Sequence, residues 1–143
     1  MKNQLKGGCH CGNVKVVLST SIRPEEFHPR ACDCSFCMMH GASYVSDPAG
    51  GLAIDVTGPD TLGEYRQGSG SAAILLCRRC GVVVAAVYQD GASRYGTVNS
   101  RCLDERAALG VPETVSPQTL GVGEKKSRWV RLWTPGVEIN TAK

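Results

Sequence analysis

Val14, Val16 and Leu18 alternate with Lys15, Val17 and Ser19, a two-residue period that predicts a strand with one face buried. Gly12-Asn13 turns the chain into it, and Leu5 to Cys9 is the expected partner strand. Residues 44–46, 52–56, 62–66, 73–76, 82–88 and 94–99 read as further strands, each set between turn-forming residues. Helix is scarce in this pattern. Pro24-Glu25-Glu26 opens a helical turn before Pro29, and Ser35 is the expected cap of a short helix running to His40. Residues 102–109 predict one more helix, 129–133 a last strand or docking segment, and the tail from Pro135 is expected to fray. No amphipathic helix of useful length is expected, so a mainly β fold is favoured over a helix bundle or a doubly wound sheet.

At 143 residues the chain fits one domain with its own core, 1–143, with residues 5–103 as its core region and 104–143 as a C-terminal extension. The 17 glycines suit the many turns. A net charge of +3 with 20% charged residues is too mild for an electrostatic nucleic-acid footprint, and no aromatic run with interleaved lysines suggests a stacking platform. The first eight residues lack the apolar stretch of a signal peptide. The longest apolar runs, 72–77 and 82–87, are strand-sized against the roughly 20 residues of a membrane span. A cytoplasmic protein without membrane or nucleic-acid partners is therefore expected.

The eight cysteines change the picture, because seven of them fall into three local clusters. These are Cys9-His10-Cys11, Cys32-Asp33-Cys34-Ser35-Phe36-Cys37 and Cys77-Arg78-Arg79-Cys80. In a reducing compartment such clusters bind metal or do chemistry. Residues two apart on a strand share a face, so Cys9 and Cys11 can offer both thiolates to one ion. Cys77 and Cys80, followed by Gly81, have the spacing of a metal knuckle. The two pairs together make a tetrahedral set of four sulfurs, as in structural zinc sites. The competing reading of Cys77–Cys80 as a redox pair needs a following helix, and the sequence there predicts a strand.

The middle cluster, Cys32, Cys34 and Cys37, supplies three sulfurs, one short of a closed site. Two metal readings stand: an open site with its fourth position left to water or substrate, or a closed one completed by His40. Reactive or buried thiols without metal are the third. His10 is expected to face away from its flanking cysteines, and Cys102 reads as a small buried hydrophobe. Gly68-Ser69-Gly70-Ser71-Ala72-Ala73 matches a loose dinucleotide fingerprint but lacks the long helix that must follow. Arg78-Arg79 is a solvated turn or a seat for a carboxylate near the metal.

Gly8-Cys9-His10-Cys11-Gly12, then Cys32-Asp33-Cys34-Ser35-Phe36-Cys37, then Cys77-Arg78-Arg79-Cys80-Gly81 resembles the glutathione-dependent formaldehyde-activating enzyme family, which includes the centromere protein V group. The likeness extends over about residues 5–103. It implies an Mss4-like zinc fold of small antiparallel sheets with metal knuckles and few short helices. It also implies that Cys9, Cys11, Cys77 and Cys80 hold a structural zinc and that Cys32, Cys34 and Cys37 hold a second, catalytic zinc. The activity implied is a carbon–sulfur lyase reaction, in which the glutathione thiol adds to formaldehyde to give S-hydroxymethylglutathione. The substrates are thus a small-molecule thiol and an aldehyde. Many relatives carry basic residues directly after the third middle cysteine, where this chain has Met38-Met39. If carboxylates are held there in relatives, Arg78, Arg79 or Arg101 must replace those residues, or the ligand differs. A non-catalytic zinc module and a thiol redox sensor are the alternatives from other classes.

Overall fold

The computed structural model describes residues 3–142. Eleven strands and two α-helices form among them, with four short 3-10 turns. The mainly β expectation holds. β1 (Asn3–Gly8), β2 (Val14–Thr20), β5 (Gly51–Thr57) and β11 (Glu138–Ala142) make a four-stranded sheet in the order β1-β2-β5-β11. The second sheet comprises β3 (Arg30–Cys32), β4 (Ser43–Val45), β6 (Leu62–Tyr65), β7 (Ala72–Cys77), β8 (Val83–Asp90), β9 (Ser93–Asn99) and β10 (Glu113–Val115). Its order is β10-β3-β4-β9-β8-β7-β6. Short loops make most pairings antiparallel. The exceptions are β11 on β5 and β10 on β3, edge strands from the last third of the chain that add on in parallel.

The core lies between the sheets. Leu5, Val14, Val16, Leu18, Leu52 and Ile54 from one face meet Leu75, Val84 and Val98 from the other, all buried. β2 shows the expected alternation, its Val14, Val16, Leu18 and Thr20 inside and Lys15 exposed. β8 does not alternate, because its first six residues are buried on both faces. Its outer face, with Ile74 of β7, carries a second apolar cluster built on Trp129 and Trp133. A strand covered on both sides has to be apolar throughout, which explains the Val83-Val84-Ala85-Ala86-Val87 run.

Three expectations fail here. Residues 102–109 do not form one helix but 3-10 turns at Ser100–Cys102 and Arg106–Ala108, with buried Leu103 between them bridging back to Gly7. The Asn99 side chain caps the first turn by accepting from the Arg101 amide, and docking of Leu103 stops the helix from propagating. Residues 129–133 form no strand, but the docking alternative holds, because Trp129 and Trp133 pack on the seven-stranded sheet. Residues 129–132 end α2 (Val122–Leu132), an amphipathic helix where none of useful length was expected, and Trp129 stacks on the C-cap residue Trp133 at 5.2 Å. The glycines at 121 and 123 and the exposed Val122 and Val130 disguised its period. The tail beyond Pro135 contributes β11, pinned by backbone pairing to β5 and by Ile139 against the core.

Gly7 marks where β1 and the Ser100–Cys102 turn press together. A Cβ there would lie 1.9 Å from the Cys102 carbonyl oxygen and 2.7 Å from Leu103 Cα, both backbone. Gly7→Ala is expected to destabilise the fold by about 1–3 kcal/mol or more, because backbone cannot swing aside as a side chain does. A urea denaturation midpoint no lower than wild type's would contradict this.

Candidate metal centres

Cys9 and Cys11 lie not on a strand but in the tight turn of the β1–β2 hairpin. The Cys9 amide donates to the Val14 carbonyl at 2.9 Å, the Gly12 amide to the Cys9 carbonyl at 3.2 Å, and Gly12 takes φ of +84°. The β7–β8 turn repeats the device: Gly81 donates to the Cys77 carbonyl at 2.8 Å with φ of +80°, and Cys77 donates to Val82 at 3.0 Å. In both turns a left-handed glycine after the second cysteine lets the chain reverse while the thiols converge. The shared-face argument for Cys9 and Cys11 therefore gives way to a turn geometry with the same outcome.

The sulfurs of Cys9, Cys11, Cys77 and Cys80 all lie within 4.8 Å of one another. Cys9–Cys11 is 3.7 Å and Cys11–Cys77 is 3.6 Å, and all eight cysteines are free thiols. Two sulfurs on a tetrahedral zinc at about 2.3 Å stand about 3.8 Å apart, so the donor set fits that ion. Amides already point at the sulfurs: Val14 donates to Cys9 at 3.2 Å, and Arg79 and Cys80 donate to Cys77 at 3.3 and 3.5 Å. Such donors favour thiolates. Without an ion, burial pushes the Cys9 thiol up. At Cys80, where burial also opposes ionisation, the Cys11 and Val82 amides win and the thiol is pulled down.

The second group forms on β3, one strand in from the β10 edge of the seven-stranded sheet. Cys32 ends β3, Cys34 is the N-cap of α1 (Ser35–His40), and Cys37 sits in its first turn. Their sulfurs also lie within 4.8 Å of one another. The cap is Cys34, whose sulfur accepts from the Cys37 amide at 3.4 Å, and not Ser35 as the residue types suggested. Gln67 Nε2 donates to the same sulfur at 3.3 Å, and the Tyr44 hydroxyl is 3.5 Å from Cys37 Sγ. Within the trio, a hydrogen bond from Cys37 draws the Cys32 thiol down, while that bond and burial drive Cys37 up. Tyr44 is likewise raised, by burial first and then by the neighbouring Cys37.

His40 does not join this group. It is exposed at the far end of α1, its ring 4.5 Å from that of Phe36, and it borders a different groove together with Cys80 and Arg101. Three sulfurs without a fourth ligating side chain among the described residues is the arrangement that leaves a position open to ligand. Cys102 is buried, donates to the Val83 carbonyl at 3.2 Å and is pushed up to about 11 by burial, as a small core residue would be.

A cleft of about 370 Å³ opens over the trio. Cys32, Cys34, Cys37 and Tyr44 lie on one side, and Ile74, Trp129 and Trp133 supply apolar wall. Arg30, Lys125 and Arg128 also line it, with no aspartate or glutamate among the described residues. None of these cations stands out in the sequence, although Lys125, Arg128 and Trp129 share one helical face at i, i+3 and i+4. Finding α2 in the pattern would have found them. Conversely, Arg78 and Arg79 lie beside the four-cysteine turn and Arg101 faces the other groove, so none reaches this cleft. The glycine-rich 68–73 segment is a loop over 68–71 that runs into the first two residues of β7, and its Gly68 and Ser69 form part of the cleft wall.

Two comparisons with known proteins agree with this arrangement. The crystal structure of a Rhodobacter sphaeroides protein superposes with a TM-score of 0.57 at 28% identity, over 77% of this chain and 99% of that one. The family model described as glutathione-dependent formaldehyde-activating enzyme matches residues 4–119, which extends the likeness beyond the last cysteine motif. All three cysteine clusters fall inside the match, and the chain belongs to the glutathione-dependent formaldehyde-activating enzyme family.

Proposed function

We propose that the cleft is the active site of a zinc-dependent carbon–sulfur lyase-type enzyme that joins a thiol to an aldehyde and runs the reaction in reverse, glutathione and formaldehyde being the pair at family level. The observation that carries the reading is three convergent sulfurs, with no fourth ligand among the described residues, beneath a cationic cleft. Cys32, Cys34 and Cys37 would hold the second zinc, and Cys9, Cys11, Cys77 and Cys80 the first. An open zinc supplies Lewis acidity, which favours a thiolate and polarises a carbonyl oxygen.

The chain's own groups do the rest. Gln67 and Tyr44 fix the sulfurs of Cys34 and Cys37 by hydrogen bonds. Trp129, Trp133 and Ile74 exclude water from one wall, and the three cations orient an anionic thiol. In the forward direction the thiol sulfur forms a bond to the carbonyl carbon. The carbonyl π pair moves to oxygen, and the proton released by the thiol ends on that oxygen. The reverse step breaks the carbon–sulfur bond and returns the proton to sulfur.

Zinc per chain, measured on protein purified without chelator, tests the metal assignment. Two zincs are expected, falling to one in Cys34→Ser/Cys37→Ser with the circular dichroism spectrum intact. Cys77→Ser should instead lose the fold, because structural zinc contributes roughly 10–16 kcal/mol of apparent binding energy in finger peptides. One zinc in both wild type and the double variant would sink the second site.

Exchange of labelled formaldehyde with its glutathione adduct, followed by NMR, tests the reaction. The wild type should accelerate exchange above the uncatalysed rate, and the double variant should return it to background. Equal rates with and without metal-loaded protein would overturn the reading.

A further inference from the structure

Arg30 lies two residues before Cys32 on β3, so its side chain and that thiol leave the strand on the same side. Its Nη2 donates to Ser46 Oγ at 2.7 Å and to Thr97 Oγ1 at 3.3 Å, both uncharged partners. A guanidinium carries five N–H donors, so these bonds leave part of the fork unused. Ion pairs among the described residues involve only Arg23 and Arg66, both on the surface. Arg30 thus enters the cleft without a carboxylate, and Arg128 faces the same space from α2, with Lys125 one turn earlier.

Two guanidiniums sharing a half-buried cleft repel one another, and neither regains there the hydration it lost. An anion with two oxygens matches the planar fork and removes both costs. The only acidic side chain in the cysteine segment, Asp33, cannot serve. It is turned outward, accepting from Ser116 at Oδ2 (2.5 Å) and from Gln118 at Oδ1 (3.0 Å), and does not line the cleft. An ammonium group on a ligand therefore meets three cations and no carboxylate.

We propose that Arg30 and Arg128 form a carboxylate seat beside the cysteine trio, and that the thiol selected by this site carries a carboxylate and gains nothing from a free ammonium group. The proposal rests on the reading of the cleft as a thiol site and adds which charge on the thiol is read and by which residues. Ser46 and Thr97 hold one side of the Arg30 fork, so the seat is formed before the ligand arrives. Lys125 adds charge at the mouth.

The test separates recognition from turnover by using S-methylglutathione, which has the carboxylates but no reactive thiol, with binding read by calorimetry on the zinc-loaded protein. Its diethyl ester should bind at least about tenfold more weakly, and Arg30→Gln or Arg128→Gln should weaken the acid about tenfold while leaving the ester little changed, because a charge-assisted fork is lost in each case. Acetylating its amino group should leave binding equal or tighter. Arg128→Gln lies on a helix surface and guards against misfolding of the Arg30 variant. An ester that binds as well as the acid, or an acetylated ligand that no longer binds, overturns the seat. If the seat holds but labelled formaldehyde shows no exchange, the lyase reading fails and the seat survives. Exchange with no preference for the acid over the ester removes the seat and leaves the lyase reading standing.

Discussion

Four sulfurs from two hairpin turns meet at one point, and each hairpin belongs to a different sheet. β1–β2 brings Cys9 and Cys11 from the four-stranded sheet, and β7–β8 brings Cys77 and Cys80 from the seven-stranded one. That meeting ties the two sheets together at the ends of their hairpins. The apolar core fixes the distance between the faces but, being non-directional, does little to fix their rotation. Four sulfurs converging on one ion, held by amides of the turns that carry them, would set position and angle together. Thiol convergence also brings like charges together, so the cluster favours its assembled form only when an ion shares it.

The middle trio answers to different constraints. It sits one strand in from a sheet edge, where β3 is three residues long, and its neighbours come from scattered parts of the chain: Tyr44 from β4, Gln67 from a loop, Trp129 from α2. No single element could position it. The segment after 110 contributes much of the enclosure, first by pairing β10 with β3, then through the Ser116 and Gln118 bonds to Asp33, and last through α2. What looks like an extension along the chain is one wall of the cleft.

How much of this was legible follows from the range of the interactions. The cysteine clusters and the strands from 52 to 99 were readable because a turn, a two-residue period and a ligand spacing are all local. Their convergence was readable too, since metal sites demand a fixed number of donors. The errors fall where tertiary contact overrides local signal. Leu103 docking cuts a helix short, burial of Trp129 and Trp133 against β8 sustains a helix with two early glycines, and backbone pairing to β5 orders a tail that looked free. Arg30 was invisible as a ligand-facing residue because its role depends on what is missing around it, a carboxylate, and a missing partner has no sequence motif.

The family match ends at residue 119, three residues before α2 begins at Val122. Every clustered cysteine lies before that boundary, while Lys125, Arg128, Trp129 and Trp133 lie after it. α2 packs against the outer face of the sheet and takes no part in the clasp between sheets. The cleft thus has two parts along the chain: a cysteine platform inside the family match, and a helical wall beyond it that packs on the sheet through Trp129 and Trp133. The residues that line the cleft as cations and as apolar wall therefore come largely from a different stretch of sequence than the sulfurs beneath them.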